Sequence, residues 1–277
     1  MNRARIWQPK RFKRFIRNFP TSTGVALIET DAGPCYLKAL GNPEGPHALA
    51  AEWIGTQLAA EFGLSTFDIA LLMLEETSEI PLPKGGFAQP GPAFCTRQEK
   101  GFPWGGTPEE LDKLDNPEDI ARLVVFDTWV LNTDRHFPDP HQRRPNRDNV
   151  FLSTERADQG RYRLLAMDHT HCFMHGGELG RRLTRIERIR EDRFYGLFPE
   201  FAAYLSRESL MICAQDLRRF TPSVVSPIVG SVPQEWEVDN VAQSALVEFL
   251  CRRAEFLADK ISALWEQNLD NEFKMGS

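Results

Sequence analysis

The sequence predicts an α+β fold, with a strand-rich first part carrying one helix and a helix-rich second part. Two observations predict it. Short runs of alternating apolar and polar residues, separated by turn residues, fill the chain up to about residue 98. Beyond that point long stretches repeat their apolar residues at helical spacing.

Residues 11–40 alternate in the manner of strands, and Val25–Glu29 and Cys35–Ala39 are β-like runs. Between them Asp31-Ala32-Gly33-Pro34 carries turn chemistry, so this part reads as a hairpin. Ahead of it lies a small-residue loop, Pro20-Thr21-Ser22-Thr23-Gly24. A helix is predicted over His47–Phe62, where Leu49, Trp53, Ile54, Leu58 and Phe62 recur on one side and Gly63 offers a C-terminal cap. Strand-like runs follow at 68–75 and 93–96, with a Pro/Gly-rich stretch at 81–92 between them. Gly101–Thr107 reads as a connector, and helices are predicted over Asp119–Leu131, Pro199–Phe220 and Asn240–Asn268. The last ten residues are polar and are expected to fray. The change near residue 98 divides the chain into lobes of 1–98 and 99–277.

A length of 277 residues suffices for a well-buried core. No run approaches the roughly 18 uninterrupted apolar residues of a membrane helix, and the basic N-terminus lacks the apolar stretch of a secretory signal. A cytoplasmic protein with no membrane partner is expected. The five cysteines are scattered without a C-x-x-C pair, which argues against a structural zinc site or a disulfide framework. Cys213 and Cys251 lie in apolar stretches and read as buried, inert thiols. A net charge of −6 argues against broad nucleic-acid binding. Two basic runs oppose that balance: Arg3–Arg17, with seven Lys/Arg and no acid, and Arg181–Arg193, with six Arg against three acids. Such runs usually make solvated faces; the second has the alternative of holding an acidic partner.

The chemistry-bearing residues follow the apolar helix that ends at Leu131. Asn132-Thr133-Asp134-Arg135-His136 comes directly after it, Asn149 precedes the β-like run Val150–Leu152, and the strand Tyr162–Met167 ends in Asp168-His169. Two carboxylates and an amide thus sit on loops flanking a hairpin. This set suits phosphoryl transfer, where one carboxylate orients an attacking hydroxyl and accepts its proton. The second carboxylate and the amide oxygen suit magnesium. Arg135 and His136 can lock the loop or neutralise charge. Taken singly, Asp134 reads as a turn cap and Asp168 as an exposed strand end. Only the combination favours chemistry. The alternation of His169, His171 and His175 permits a metal cluster, but the place of His169 and His171 directly after Asp168 explains them more simply. Phe173 and Met167 read as core. Neither a G-x-S-x-G elbow nor a G-x-x-x-x-G-K-[ST] loop is present.

The run 132–136, then Asn149, then Met167-Asp168-His169-Thr170-His171-Cys172-Phe173 resembles the catalytic core of the HipA-like kinases. The D-R-H order is also similar to that of the phosphatidylinositol kinases. A weaker resemblance to short HipA-like kinases covers Val232–Trp236 and the helix Ala245–Asp259 with Arg252-Arg253. The resemblance implies a two-lobed protein-kinase-like fold using ATP and magnesium. Asp134 would be the base, and Asn149 and Asp168 the metal ligands. Lys38 would bind the phosphates, Glu52 on the next helix would pair with it, and Thr21, Ser22, Thr23 and Gly24 are candidates for the covering loop. The adenine-binding hinge is expected near Phe94–Glu99. A protein acceptor phosphorylated on Ser or Thr is implied, and some relatives are restrained by an antitoxin partner. Two departures stand out. Phe137–Asp148, with three prolines and three arginines, separates His136 from Asn149, and Asn146 becomes a rival amide. The covering loop contains a single glycine. A lipid or small-molecule kinase and a non-catalytic nucleotide-binding module remain as alternatives.

Overall fold

A computed structural model describes residues 5–139, 141 and 143–268. The chain runs β1 (Phe12–Asn18), β2 (Ala26–Thr30), β3 (Gly33–Lys38), α1 (Pro46–Glu61), β4 (Ile69–Leu74), β5 (Gly91–Arg97) and β6 (Gly101–Pro103). It continues with α2 (Pro108–Leu111), α3 (Glu118–Val130), β7 (Val150–Ser153), β8 (Arg163–Ala166), α4 (Cys172–His175), α5 (Ile186–Ile189), α6 (Arg207–Leu217), α7 (Pro222–Val229) and α8 (Asn240–Asn268). The α+β expectation holds: a five-stranded antiparallel sheet in the order β1-β2-β3-β5-β4 is followed by mostly helical chain. β6, β7 and β8 form a second, three-stranded sheet.

Strand parity decides what faces the site. Ala26 and Ile28, Cys35 and Leu37, Ala70 and Leu72, Ala93 and Cys95 lie two apart and share one buried face with its own core. Tyr36, Lys38, Phe94 and Thr96 therefore fall on the other face, and all four border one cavity. Lys38 stands opposite Phe94 in the β3–β5 register. The larger core joins α1 to the helices that follow residue 107, with Trp53 and Phe62 packed among Phe94, Phe126, Trp129 and Phe220. No described helix is long and apolar enough to cross a membrane.

Several elements differ from expectation. Gly101–Pro103, read as connector, pairs with β7 as a strand. The single helix expected over Pro199–Phe220 is a 3-10 helix, Pro199–Tyr204, followed by α6. Leu205 and Ser206 are extended between them, because Ser206 caps α6 in a capping box with Ser209. α7 carries Pro227 internally and was not anticipated. Cys251 is half-buried rather than buried. The C-terminal tail expected to fray lies, beyond Asn268, outside the described residues.

Candidate active site

Helix α3 ends because Leu131 turns left-handed at φ 52°, which directs the chain into Asn132–His136. The loop is then fixed from beneath. Arg135 is fully buried and donates from Nε to Asp127 Oδ2 at 2.6 Å. Its Nη2 donates to the Met167 carbonyl at 3.0 Å and its Nη1 to the Asn149 carbonyl. One guanidinium thus ties together the loop, the start of β7 and the residue before Asp168. Asn132 Nδ2 takes the other Asp127 oxygen at 3.0 Å. Gly196, at φ 70°, packs its backbone against Asp127 so closely that any Cβ would overlap the carboxylate. Arg135 borders no part of the cavity. His136 packs edge-on against Phe198 with ring centres 5.2 Å apart, and burial lowers its pKa. Neither residue reaches the cavity.

Lys38, Glu52 and Asp168 meet at the cavity wall. Lys38 Nζ donates to Glu52 Oε2 at 2.6 Å, to Asp168 Oδ1 at 2.9 Å and to Thr170 Oγ1 at 2.9 Å. Thr170 Oγ1 donates to the same Glu52 oxygen at 2.7 Å, and the His169 N–H reaches Glu52 Oε1 at 3.2 Å. Burial works against the Lys38 charge, but Asp168 and Glu52 outweigh it and raise its pKa. Burial likewise opposes ionisation of Asp168, and Lys38 reverses this, holding the carboxyl well below its usual range. Asp168 adopts a left-handed φ of 55°, a strained conformation that non-glycine residues keep where the surroundings impose it. Helix α1 approaches closely because position 55 is glycine; a Cβ there would collide with His169. His169 is buried and held neutral, its pKa down to about 3 through burial first and then Arg135.

Asp134 lies below this group. Its Oδ2 accepts from Asn149 Nδ2 at 2.9 Å and Asn146 Nδ2 at 3.1 Å. Its Oδ1 is 3.5 Å from Arg143 Nη2, and His171 Nδ1 is 3.6 Å from Oδ2. His171 Nε2 is 3.2 Å from Glu44 Oε2 on the loop before α1. Burial disfavours the His171 cation, yet Asp134 and Glu44 outweigh it and raise its pKa to about 9. Burial also acts against ionised Asp134, and His171 more than offsets it, so Asp134 is an anion at neutral pH. Neither His171 nor Glu44 was singled out from the sequence as a site residue. The His169–His171 alternation is visible in the sequence, but nothing local marks Glu44.

The cavity has a volume of about 970 Å³. Phe19, Val25, Phe67 and Phe151 make it largely apolar, with Lys38, Glu52, Asn149 and Asp168 at one end. Met167, expected in the core, is half-buried and lines it. Of the loop 21–24 only Thr21 borders the cavity. Its Oγ1 accepts from Val25 N at 3.0 Å, Thr23 is buried, and Gly24 (φ 68°) packs on Pro83. Ser22 lies near Glu44 and lowers its pKa. At the opposite end, Gln98 N donates to Pro34 O at 3.0 Å and Lys100 O accepts from Thr154 N at 3.0 Å. Between them the main-chain N–H and C=O of Glu99 have no protein partner among the described residues.

A model of the HipA-like kinase family matches residues 27–267. The chain belongs to the HipA-like kinase family. A crystal structure of the Helicobacter pylori proinflammatory kinase CtkA is similar in fold, with a TM-score of 0.60 and 13% identity over 94% of this chain and 97% of that one. A double mutant of the Mycobacterium tuberculosis PknI kinase domain gives a TM-score of 0.32 and 15% identity over 88% and 97%. No curated protein matches the sequence. As a HipA-like kinase the protein is a phosphotransferase with a protein-kinase fold, a class of enzyme that works on a nucleotide with a divalent metal.

Proposed function

We propose that the protein transfers the γ-phosphoryl group of ATP, with magnesium, to a Ser or Thr hydroxyl of a protein acceptor. Residues 1–98 act as the nucleotide-binding lobe and 99–277 as the catalytic lobe. The observation that carries the reading is the bonded series Glu52–Lys38–Asp168 at one end of an apolar cavity, with Asn149 lining the same end and bonded to Asp134 behind it.

The apolar walls suit a purine, and the Glu99 main-chain groups, without a partner among the described residues, offer one donor and one acceptor to its edge. Lys38, aimed by Glu52, holds phosphate oxygens. Asn149 gives its amide hydrogen to Asp134, which leaves its carbonyl oxygen to act with Asp168. An all-oxygen donor pair of this kind fits a hard divalent cation. When bound, magnesium supplies neutralisation of phosphate charge. Asp134, ionised, orients the acceptor hydroxyl. As the hydroxyl oxygen bonds to the γ-phosphorus, the bond to the β-phosphate oxygen breaks, ADP departs and the proton passes to Asp134. Arg135 acts through position, since it is buried beneath the loop. Glu44, which lies near Ser22 of the loop 21–24, pairs with His171, the cationic neighbour of the base. An antitoxin-like protein regulator belongs to the same reading.

Purified protein with labelled ATP, magnesium and casein-type mixed acceptors is the test. Wild type is expected to transfer label to itself or to the acceptor. Asp134→Ala is expected to lose about 100-fold or more. Undiminished transfer by Asp134→Ala contradicts the base assignment.

A further inference from the structure

The basic run at 181–193 takes no part in the steps above, yet it is fastened beside them. Arg253 on α8 is fully buried and has no carboxylate within ion-pair distance among the described residues. Its Nη1 donates to the carbonyls of Arg188 at 2.9 Å, Ile189 at 3.1 Å and Glu191 at 2.8 Å. Its Nη2 donates to Thr128 O at 2.6 Å and its Nε to Trp129 O at 2.9 Å. One guanidinium therefore pins the basic run to α3, the helix that delivers Asp134. Burying a cation on carbonyls alone is costly, and its pKa falls to about 9 through burial. A merely solvated face needs no such anchor.

The run also meets the 137–148 segment. The Arg193 guanidinium lies over the Phe137 ring at 5.9 Å, and Phe137 meets His175 edge-on at 6.5 Å. Burial takes the His175 pKa down to about 4, and the positive charges of Arg188 and Arg143 push it the same way. Arg143 in turn donates to Thr133 Oγ1 at 2.8 Å and stands 3.5 Å from Asp134. Arg188 donates to the Phe173 carbonyl, while its Nε is buried without a hydrogen-bond partner among the described residues. Burial lowers the Arg188 pKa against Tyr195 and Glu191, which raise it, and Arg185 adds to the lowering. Among the described residues no carboxylate forms an ion pair with Arg144, Arg185 or Arg188. Arg143 thus stands beside the base, and Arg188, from a distant segment, is bonded to the turn that carries His175; guanidinium groups without a paired carboxylate favour incoming anions.

We propose that the acceptor is an acidic polypeptide segment, docked across Arg143, Arg144, Arg185 and Arg188 with its hydroxyl residue at Asp134. The proposal rests on the kinase reading above and adds the class of acceptor to it. Carboxylates match guanidinium forks in pairs. An acceptor carboxylate that takes Arg143 also uncovers one oxygen of Asp134, so docking and exposure of the base are one event. A long polyanion fits less well, because the chain carries a net charge of −6 and the basic rim is short.

The test is fluorescence anisotropy of the full chain with three labelled serine peptides, flanked by Glu, Ala or Lys, and with a single-stranded RNA of matched charge. The Glu-flanked peptide is expected to bind at least about tenfold tighter than the Ala-flanked one, and less tightly as salt rises. Arg144→Glu with Arg185→Glu is expected to abolish that preference. Lys13→Glu with Arg14→Glu, an equal change of charge on exposed β1, is expected to keep it. Both variants alter exposed side chains, and melting with and without ATP and magnesium reports their folding. Equal binding of the three peptides, equal loss in both variants, or tighter RNA binding overturns the proposal. Acidic preference without any ATP-dependent shift overturns the kinase reading and leaves the docking surface standing. An ATP-dependent shift without acidic preference does the reverse.

Discussion

The two ends of the site are held in different ways. At the Lys38 end, Glu52, Asp168 and Thr170 close on one ammonium at 2.6–2.9 Å, and Glu52 is 3% exposed. At the Asp134 end the carboxylate takes amide hydrogens at 2.9 and 3.1 Å, and its two cationic neighbours stand back at 3.5 and 3.6 Å. Those neighbours come from the 137–148 segment and from the chain after Asp168. One end is pre-organised, with opposite charges in direct contact. The other is restrained by partners that an incoming acceptor can replace. A phosphoryl-transfer enzyme needs both properties: rigid placement where the phosphates lie and exchange where the hydroxyl enters.

The sharpest way to break this comparison is Lys38→Met. Removing the ammonium leaves two carboxylates facing each other in a buried site, and a loss of about 3 kcal/mol is expected. Chemical denaturation measures it, and a loss below that expected of an exposed ion pair contradicts the closed character of this end. The His171 contact gives a smaller effect with a defined sign. Its folded pKa, about 9, lies above its ordinary value of 6.5. Its contribution to stability is therefore complete below pH 6.5 and disappears as pH climbs through 9. About 2 kcal/mol is expected to vanish across that window once partial solvent screening is allowed for. His171→Phe flattens the curve; an unchanged pH profile in that variant removes the bridge between Asp134 and Glu44. The smallest effect separates the two amides. Asn146→Ala and Asn149→Ala each remove one hydrogen bond to Asp134, worth about 1 kcal/mol. Only Asn149→Ala is expected to raise the magnesium needed for half-maximal transfer, and the reverse ranking makes Asn146 the ligand.

What was legible in the sequence was what is local in the chain. Lys38 at the end of an alternating run and Glu52 on the next helix are singled out by the resemblance to the HipA-like kinases, and the structure joins them. Asp134, Asn149 and Asp168 each adjoin a recognisable strand or helix end. The pieces that position them are long-range. Asp127 is an unremarkable position on an apolar helix until Arg135 folds back onto it. Gly55 and Gly196 read as ordinary glycines, because only the packed chain brings His169 and Asp127 against them. Arg252 and Arg253 are adjacent in sequence with opposite fates, the first exposed beside Glu248 and the second buried. Helical phase separates them, but phase alone does not say which carbonyls await the buried one. The covering loop is the least legible part. Its residues suggested a phosphate cradle, and among them Thr21 alone borders the cavity.

The most direct test of the central claim, a metal-dependent nucleotide site built on Lys38 and Asp168, is thermal unfolding with and without ATP plus magnesium. Wild type is compared with Asp168→Ala. At roughly 100 times its dissociation constant a ligand stabilises by about 2.7 kcal/mol, which for a chain of this size moves the midpoint by several degrees. The account predicts a shift in wild type that requires magnesium and that Asp168→Ala removes. A wild-type midpoint indifferent to nucleotide and metal, or an equal shift in Asp168→Ala, contradicts it.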